Sequence, residues 1–349
     1  MTKKRVLITA ASGLGYPSLV APLRNDFFLV GTASDKDASG FAFVDKIFLV
    51  SPVEDKKYVS DLLDICEKEQ IDVLLPVNPK ELLHIAVRAK EFEKIGTKVA
   101  LSSTRAIELS EDKEKFFSFC RENKIAFPRF IKVDNFNGFC EAVEKLGYPE
   151  KDVCFKPKIS SGTRGFRVLS NNTNENDFFE SQPGSVFANY EEVCGILKKQ
   201  KKFPELLVME FLSGQEYSVD ALICNGIAEV VIPRSRDKII MGASFCGKTV
   251  NDAEIIKISK KIIEGLGLSG VVGVQFRKDS GGSLKVLEVN PRVQGAVVLS
   301  FASGANIVSL ALKSILNIKW EKPKIKWGTK LVRYYSEVYL DENGKFFKI

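Results

Sequence analysis

The chain has 349 residues, 45% of them hydrophobic and 27% charged, which is enough for about two or three domain-sized cores. No apolar run approaches the roughly 20 residues that a membrane-spanning helix needs, and the first residues predict a strand and a turn, not a signal peptide. The net charge of +7 comes from interleaved acidic and basic residues without a nucleic-acid-binding motif, so we expect a small polyanion as ligand, not DNA or RNA.

The cysteines and the histidine narrow the chemistry further. Seven cysteines are scattered along the chain, without a CxxC pair, and their number is odd. This pattern favours free thiols in the cytoplasm over a disulfide framework or a zinc site. The single histidine, His84, excludes mechanisms that need two, and we expect it to be an ordinary helix residue.

The first hundred residues alternate between strands and helices. The predicted strands are 5–10, 28–32, 47–50, 73–76 and 99–101. The predicted helices follow the glycine turn at 13–15 and cover 58–69 and 81–95. Strands separated by helices indicate a parallel, doubly wound sheet.

From residue 110 the pattern is a mixture of α and β elements. A helix is predicted to open at Ser110, with Phe116, Phe117 and Cys120 on its apolar face. Two further helices are predicted, at 252–266 and 306–316. The predicted strands are 153–155, 166–169, 206–210, 217–224 and 228–233, and 332–340 with 345–349 is predicted to form a closing hairpin around 341–344. The polar segment 171–184 is predicted to be a surface loop or insertion.

The clearest local motif is a second hairpin, built from 271–276 and 285–290 around the glycine pair 281–282. The expected register has four pairs: Gln275 with Glu288, Gly273 with Asn290, Val274 with Val289 and Phe276 with Leu287. One face of the hairpin is therefore apolar, and the other collects an amide, a carboxylate and a second amide.

The polar face of this hairpin suits a hard cation. Gln275, Glu288 and Asn290 offer oxygen atoms, which are the ligands that Mg²⁺ prefers. Arg292 follows directly and can hold phosphoryl oxygens. A solvated polar face, without a metal, is the alternative that the pattern itself leaves open.

The segment Leu287-Glu-Val-Asn-Pro-Arg-Val293 resembles the metal-binding strand of the ATP-grasp superfamily, especially of its carbamoyl-phosphate-synthase-like branch. Further segments follow in the order of that family between 103 and 317, and 5–101 resembles its N-terminal domain. The resemblance implies a mixed α/β and α+β architecture: a Rossmann-like N-terminal domain (1–103) and a two-lobed ATP-grasp domain (104–349). It places a lid at about 150–212, a catalytic lobe at about 213–320 and a C-terminal hairpin at about 330–349.

The same resemblance implies a set of ATP-binding residues. Two lysines would hold the phosphates, the loop 160–165 would cover them, the residues at 210–212 would meet adenine, and a glutamate would hold the ribose. These positions are Lys113, Lys156, Ser161, Gly162, Glu210, Phe211, Leu212 and Glu216. Mg²⁺, or Mn²⁺ in its place, would lie on Gln275, Glu288 and Asn290, and Arg292 and Arg234 would act at the acyl phosphate.

Two other motifs offer rival interpretations. The segment 242–249 fits the P-loop expression GxxxxGK[ST], with Lys248 and Thr249 as phosphate and Mg²⁺ ligands, but it lacks the preceding buried strand and an immediate helix. We therefore expect a chance match. The segment 10–15, with Asp35 after the second strand, is a partial dinucleotide fingerprint, and such a partial match is weak evidence.

The predicted activity is that of a cytoplasmic ATP- and Mg²⁺-dependent ligase, which activates a carboxylate as an acyl phosphate for attack by an amine. The products would be an amide, ADP and phosphate. Phosphorylation of bicarbonate or carbamate is the runner-up, and a nucleotide-binding protein without catalysis is the alternative from another class. The expected partners are small molecules, without nucleic acid or membrane, and a homodimer is compatible with such an enzyme.

Overall fold

The computed structural model describes residues 3–158, 165–171, 186–240 and 242–347. The first part folds into a five-stranded parallel sheet with Lys4–Ile8 at its centre, between Phe27–Ala33 and Val73–Leu75. Lys46–Leu49 and Lys98–Val99 form the two edges. The prediction of a parallel, doubly wound sheet is confirmed, and we call this element the N-terminal sheet.

Helices cover both faces of the N-terminal sheet because its strands are apolar on both sides. Leu7, on one face, packs with Tyr58–Lys68 and Ala89–Lys94, while Ile8, on the other face, packs with Tyr16–Val20. Ile307–Ile315, from near the end of the chain, joins the second face, so this core is shared with the rest of the molecule. The helix predicted at 81–95 is divided into Leu82–Val87 and Ala89–Lys94 after the 3₁₀ turn Pro79–Glu81.

Two consecutive helices, Thr104–Glu111 and Lys113–Glu122, follow the N-terminal sheet. The predicted cap at Ser110 is wrong, because its hydroxyl donates to the Ala106 carbonyl within the first helix. Asp112 caps the second helix instead. Its carboxylate accepts hydrogen bonds from the backbone N–H groups of Glu114 and Lys115.

A second five-stranded sheet, which we call the lid sheet, comes next. Its strands, in spatial order, are Phe130–Val133, Leu206–Glu210, Val153–Pro157, Arg167–Leu169 and Phe187–Ala188. Phe136–Lys145 and Tyr190–Lys198 pack against it around Phe139, and these two helices were not predicted. Most of the predicted loop 171–184 lies outside the described residues.

The last large element is a four-stranded antiparallel sheet, which we call the catalytic sheet. Its strands, in spatial order, are Ile227–Ser235, Glu216–Cys224, Gly270–Lys278 and Leu284–Asn290. Ala253–Gly265 covers one face and Ile307–Ile315 the other, while Val298–Ala302 is a short helix between the last strand and Ile307. The strands predicted at 217–224 and 228–233 and the helix predicted at 252–266 are confirmed.

A small three-stranded sheet contains the segment that matches the P-loop expression. Its strands are Lys238–Ile240, Ala243–Lys248 and Lys330–Val332. The lysine of the motif therefore ends a strand, the threonine follows it, and the next helix begins only at Ala253. The P-loop match is a coincidence, as expected.

The C-terminal hairpin is shorter than predicted. Tyr339–Leu340 pairs with Phe346–Phe347 around a turn that starts at Asp341, as predicted. However, 332–340 is not one strand, because Lys330–Val332 belongs to the small sheet. All seven cysteines are free, His84 is an exposed helix residue, and within the described ranges no helix is long and apolar enough to cross a membrane.

Candidate active site

The hairpin Gly270–Lys278 and Leu284–Asn290 brings the predicted polar face together. Gln275 pairs with Glu288, Gly273 pairs with Asn290 and Val274 pairs with Val289, all as predicted. The fourth predicted pair is wrong, because Phe276 pairs with Val286. The Asp279 carboxylate accepts from the backbone N–H groups of Gly281 and Ser283 and closes a longer turn than the expected glycine pair.

A β-bulge at Leu287 compensates for the longer turn. It restores the predicted register at Glu288, and it leaves Leu287 and Glu288 side by side along the same wall. This wall belongs to a cavity of about 160 Å³ between the lid sheet and the catalytic sheet, which we call the lid cavity. The predicted residues that line it are Lys113, Lys156, Glu210, Phe211, Leu212, Glu216, Gln275 and Glu288.

Charge is concentrated at one end of the lid cavity. The Glu288 carboxylate lies 3.4 Å from the Lys156 ammonium and 3.9 Å from that of Lys113. Burial, with the neighbouring Lys156, lowers the pKa of Lys113 to about 8. Burial also works to raise the pKa of Glu288, but the two lysines outweigh it and hold that pKa below its usual value. Two cations against one carboxylate leave a net positive cluster, which suits a polyphosphate.

The backbone explains how these two lysines reach the same point. Lys113 is the first residue of the helix that Asp112 caps, so the cap fixes the backbone position from which its side chain extends. Lys156 lies on Val153–Pro157, which is hydrogen-bonded to Leu206–Glu210. Both lysine side chains are largely buried, so they are held in place by packing.

Glu210, at the other end of the lid cavity, is already held by cations. Its carboxylate accepts from the Arg129 backbone N–H at 2.9 Å and from the Lys285 ammonium at 2.5 Å. Burial works to raise the pKa of Glu210, but these hydrogen bonds hold it below its usual value. Next to it, the Phe211 ring lies 5.1 Å from the Arg277 guanidinium, so this wall is rigid and partly aromatic.

Glu216 has a partner that sequence analysis missed. It forms an ion pair with Arg236, which also lines the lid cavity and lies 3.4 Å from the Gln275 amide oxygen. Burial lowers the pKa of Arg236. Sequence analysis chose Arg234 from the same basic segment, although the strand register places Ser235 opposite Tyr217 and hence Arg236 beside Glu216.

Arg234 itself lines neither the lid cavity nor the larger cavity described below. It is 1% exposed and forms a two-point ion pair with Asp220, at 2.8 and 3.1 Å. Its guanidinium also donates to the Gln294 side chain at 3.0 Å, and that side chain fills the space beside Gly273. The placement gives no support to the prediction that Arg234 contacts an acyl phosphate, because protein groups surround its guanidinium.

Asn290 links the lid cavity to Arg292. Its amide group donates to Glu288 at 3.4 Å and accepts from the Arg292 guanidinium at 3.4 Å. Burial lowers the pKa of Arg292. The Arg292 side chain lines a different and larger cavity of about 470 Å³, and Glu288, Asn290 and Arg292 therefore form a polar row between the two spaces.

The larger space, which we call the N-terminal cavity, lies at the carboxyl ends of the parallel strands. Most of its wall is formed by segments at the ends of four of them and by a segment from the catalytic part: 10–16, 32–34, 50–53, 77–79 and 292–297. Carboxyl ends of parallel strands are the usual ligand site in such sheets. Sequence analysis did not identify this cavity.

The dinucleotide fingerprint is not supported by the structure around the N-terminal cavity. The helix after the glycine turn, Tyr16–Val20, has only five residues. Asp35 is exposed and is not part of the wall. Instead, Gly15 lies against the backbone of Gly295, where an added Cβ would be 3.3 Å from the carbonyl oxygen. The turn therefore fits closely against the segment after Arg292.

The metal hypothesis can be examined from the donor atoms. Gln275, Glu288 and Asn290 supply one carboxylate and two amide groups on neighbouring strands. No cluster of three His, Cys, Asp or Glu side chains that could hold a metal occurs among the described residues. The donor set fits Mg²⁺, which usually takes one or two carboxylates and completes its shell with phosphate and water. Ser161 and Gly162 lie outside the described residues.

Two family models match the chain. The model described as "PylC-like, N-terminal domain" matches residues 22–100, and the model described as "ATP-grasp in the biosynthetic pathway with Ter operon" matches residues 202–337. The carbamoyl phosphate synthase large chain of Clostridium botulinum (strain Kyoto / Type A2) is 26% identical over 306 residues, which cover 83% of this chain and 26% of that protein. The chain thus spans about a quarter of the length of this relative.

Solved structures share the fold. N5-carboxyaminoimidazole synthetase from Staphylococcus aureus, solved with ADP, matches with a TM-score of 0.69 and 14% identity, covering 93% of this chain and 81% of that chain. The biotin carboxylase domain of 2-oxoglutarate carboxylase from Hydrogenobacter thermophilus, solved with MgADP, ADP and bicarbonate, matches with a TM-score of 0.68 and 15% identity, covering 95% and 74%. At these identities the likeness is one of fold.

Proposed function

We propose, from the premise that this chain belongs to the ATP-grasp superfamily and to its carbamoyl-phosphate-synthase-like branch, that it is an ATP- and Mg²⁺-dependent carboxylate–amine ligase. The fold class that the resemblance implied, a Rossmann-like parallel sheet followed by a two-lobed ATP-grasp fold, is confirmed by the same matches and by the sheet topology. The observation that carries the proposal is the contact of Glu288 with both Lys113 and Lys156 between two sheets.

In this proposal ATP occupies the lid cavity, between the lid (about 150–212) and the catalytic lobe (about 213–320). Lys113 and Lys156 leave Glu288 to bind phosphate oxygens, which are stronger anionic partners. Glu216 holds the ribose from its fixed position beside Arg236, and the backbone at 210–212 meets adenine. The Glu210 carboxylate, already engaged by Arg129 and Lys285, sets the shape of the wall.

The metal would be held by Gln275, Glu288 and Asn290. Mg²⁺, or Mn²⁺ in its place, supplies positive charge against the triphosphate when it is bound. Glu288 can serve two sets of partners because it neutralises the lysines in the free protein. Once the phosphates pair with those lysines, its carboxylate becomes available to the cation.

The reaction has two balanced steps. A carboxylate oxygen of the substrate attacks the γ-phosphorus, the bond to the bridging oxygen breaks, and ADP leaves. An amine nitrogen then attacks the acyl carbon, phosphate leaves with the electron pair of the C–O bond, and the nitrogen gives up its proton. Arg292 binds the substrate carboxylate and later the acyl phosphate, which places the reacting oxygen beside the Glu288–Asn290 end of the row.

The intermediate must be protected from water, because an acyl phosphate hydrolyses readily. From the family resemblance we assign this task to the loop 160–165, including Ser161 and Gly162. We also propose that the chain acts in the cytoplasm on small molecules, with no nucleic acid or membrane partner, and assembles as a homodimer. Sedimentation equilibrium of the purified chain tests the last point, and a purely monomeric profile contradicts it.

An ADP-release screen that crosses carboxylic acids with amines, followed by mass spectrometry of the products, tests the activity. We expect ADP, phosphate and an amide to form in equal amounts from at least one pair. Equal turnover by Glu288→Gln would overturn the metal and phosphate assignment. ATP binding without turnover across the whole panel would favour a nucleotide-binding protein without catalysis.

Phosphorylation of bicarbonate or carbamate is the second candidate, and the carbamoyl phosphate synthase relatives favour it. It is distinguished in the same screen by ADP release that needs bicarbonate and no other acid. The size and the mainly apolar wall of the N-terminal cavity argue for a larger acid.

A further inference from the structure

The N-terminal cavity continues the proposed active site. Arg292 lines this cavity, and Asn290 connects it by hydrogen bonds to Glu288 in the lid cavity. A carboxylate bound to Arg292 therefore has its remaining atoms directed into a space of about 470 Å³. That volume is within the range of about 300–1,000 Å³ that ligand pockets usually have.

Among the described residues, Arg292 is the one charged side chain of the wall whose charge is available to a ligand. The other acidic or basic side chain among the described lining residues is Glu81, and it is 0% exposed. Its oxygens accept from the Thr9 and Tyr58 hydroxyls and from the backbone N–H groups of Val77 and Asn78. A second charge on the ligand would thus meet no opposite charge among the lining residues.

Most of the accessible surface of the wall is apolar, although hydroxyl and amide side chains such as Ser12, Ser34, Ser51, Asn78 and Gln294 also line it, and the larger apolar side chains are prominent. They come from both parts of the molecule: Leu19, Val50, Val53, Val77, Val293 and Val297. Apolar surface of this kind favours a ligand that loses apolar area to it, and it disfavours a charged group that must give up its water.

Two buried polar atoms of the wall have no hydrogen-bond partner within the described residues. They are the Thr32 hydroxyl and the Arg292 Nε, and Thr32 is 0% exposed. Buried polar groups are normally paired, so an unpaired one at a cavity wall needs an explanation. Neither atom is exposed to the cavity in the free protein, so a ligand with a carboxylate at one end and a hydrogen-bonding group along its length would satisfy both once the two side chains rotate toward it.

We propose that the N-terminal cavity binds the body of the carboxylate substrate and selects a monocarboxylic acid with an uncharged, mainly apolar chain that carries one hydrogen-bonding group for Thr32. This inference rests on the proposed function, since it assigns the substrate class of the same site. Bicarbonate and carbamate are disfavoured as the main substrate, because either would leave the cavity almost unfilled. Free α-amino acids are disfavoured, because the described lining residues offer no free carboxylate to an ammonium group.

Direct binding to the whole chain tests this proposal independently of turnover. Isothermal titration calorimetry, with a non-hydrolysable ATP analogue and Mg²⁺ present, compares 6-oxoheptanoate, which is uncharged beyond its carboxylate, with the dicarboxylate heptanedioate, the ammonium acid 6-aminohexanoate and bicarbonate. We expect 6-oxoheptanoate to bind at least about tenfold more tightly than the others, because only its chain fits an uncharged wall. Tighter binding of heptanedioate, 6-aminohexanoate or bicarbonate overturns the proposal.

A matched pair of variants locates the binding. Val53→Phe fills part of the cavity from a partly buried turn, whereas Val87→Phe makes the same change at a site that is 67% exposed on the same domain. We expect Val53→Phe to weaken 6-oxoheptanoate binding about tenfold or more without changing the affinity for the ATP analogue. We expect Val87→Phe to change neither affinity. Equal acid binding by both variants contradicts the proposal.

The Thr32 hydroxyl is tested by Thr32→Val and Thr32→Ser. We expect Thr32→Val to bind 6-oxoheptanoate about tenfold more weakly and hexanoate, which lacks the oxo group, with unchanged affinity, while Thr32→Ser keeps the wild-type preference. An equal loss for both acids contradicts the role of Thr32.

The proposed ligase activity and the proposed role of the N-terminal cavity would be contradicted by different results. Selective acid binding with no ADP release from any acid–amine pair contradicts the proposed ligase activity but agrees with the assignment of the N-terminal cavity. ADP release with bicarbonate, at a rate that Val53→Phe does not change, would show that the chain is an ATP-using enzyme. The same result would contradict the assignment of the N-terminal cavity.

Discussion

The lid cavity and the N-terminal cavity lie on either side of Asn290 and differ mainly in charge. The lid cavity contains the Glu288 carboxylate within 4 Å of the Lys113 and Lys156 ammonium groups, and Arg236 and Arg277 also line it. In the described part of the chain, the wall of the N-terminal cavity offers one available charge, Arg292, since the Glu81 carboxylate is engaged by protein groups. The first set of groups suits a triphosphate and its metal, which any ATP-using enzyme must bind. The second suits the part of the substrate that differs from one enzyme to the next.

The difference also suggests how the chain separates chemistry from selection. Charged groups cost free energy when they are buried and unpaired, so those of the lid cavity pair with one another in the free protein. The neutral wall of the N-terminal cavity needs no such pairing, and its residues can change without disturbing the phosphate site. We therefore expect substitutions in the two cavities to affect different kinetic constants.

The largest expected effect belongs to Glu288. Glu288→Gln keeps the shape but removes the charge that we propose holds the metal, so we expect ADP formation to fall about 10³-fold. We also expect a lower melting temperature, because Lys113 and Lys156 lose their counter-charge, so ADP formation is measured well below that temperature. Glu229→Gln, a more exposed carboxylate that pairs with Lys322 in the same sheet, is the control and should leave ADP formation unchanged. Comparable losses in both variants would mean that the effect is not specific to the lid cavity.

The second effect concerns Arg234, which belongs to neither cavity. Arg234→Leu leaves Asp220 buried without its ion-pair partner, so we expect a loss of about 3–5 kcal/mol in the free energy of unfolding, measured with urea. The double variant with Asp220→Leu should recover much of that loss, because no lone charge remains. Native stability in Arg234→Leu combined with lost ADP formation would restore the role at the acyl phosphate that the sequence suggested.

Arg234 also marks the limit of what could be read from the sequence. Alternation along a strand predicted correctly that Gln275, Glu288 and Asn290 share a face, because a side chain two residues away lies on the same side. The bulge at Leu287 could not be predicted, since it depends on how Asp279 closes the turn. The bulge compensates for the wrong prediction of the turn, so the predicted pairing of Glu288 with Gln275 is confirmed.

The N-terminal cavity escaped prediction for a different reason. Its wall comes from segments after four strands and from 292–297, which are far apart in sequence and meet only in the folded chain. The parallel sheet itself was predictable from the alternation of strands and helices. The choice between Arg234 and Arg236 was not, because both lie in one basic segment and only the pairing with Glu216 or Asp220 distinguishes them.

A third and smaller effect tests how Lys113 is positioned. Asp112→Ala removes the cap at the start of the lysine's helix, so we expect a loss of about 1 kcal/mol in the free energy of unfolding and a KM for ATP that rises several-fold. Asp252→Ala removes an equivalent cap, with matching hydrogen bonds, from the helix Ala253–Gly265, which contributes no described residue to the lining of either cavity. The control should lose similar stability and keep the KM for ATP. An increased KM in both variants would show that general destabilisation is responsible.

The smallest effect separates a hydroxyl held for a ligand from one that serves the fold. Thr32 and Thr97 are both 0% exposed in the N-terminal domain, but the Thr97 hydroxyl donates to the Ile71 carbonyl at 2.8 Å, whereas the Thr32 hydroxyl has no partner in the described chain. Thr97→Val should therefore lower the free energy of unfolding by about 1 kcal/mol, because it leaves a buried carbonyl without its donor. Thr32→Val replaces an unpaired hydroxyl by a methyl group of the same size, so it should leave the free protein equally stable or raise its stability by up to about 1 kcal/mol. Urea unfolding of the two variants without ligand measures both values. A loss in Thr32→Val as large as that in Thr97→Val would mean that Thr32 already has a structural partner, and the N-terminal cavity would then lose one of the two polar atoms that point to a substrate.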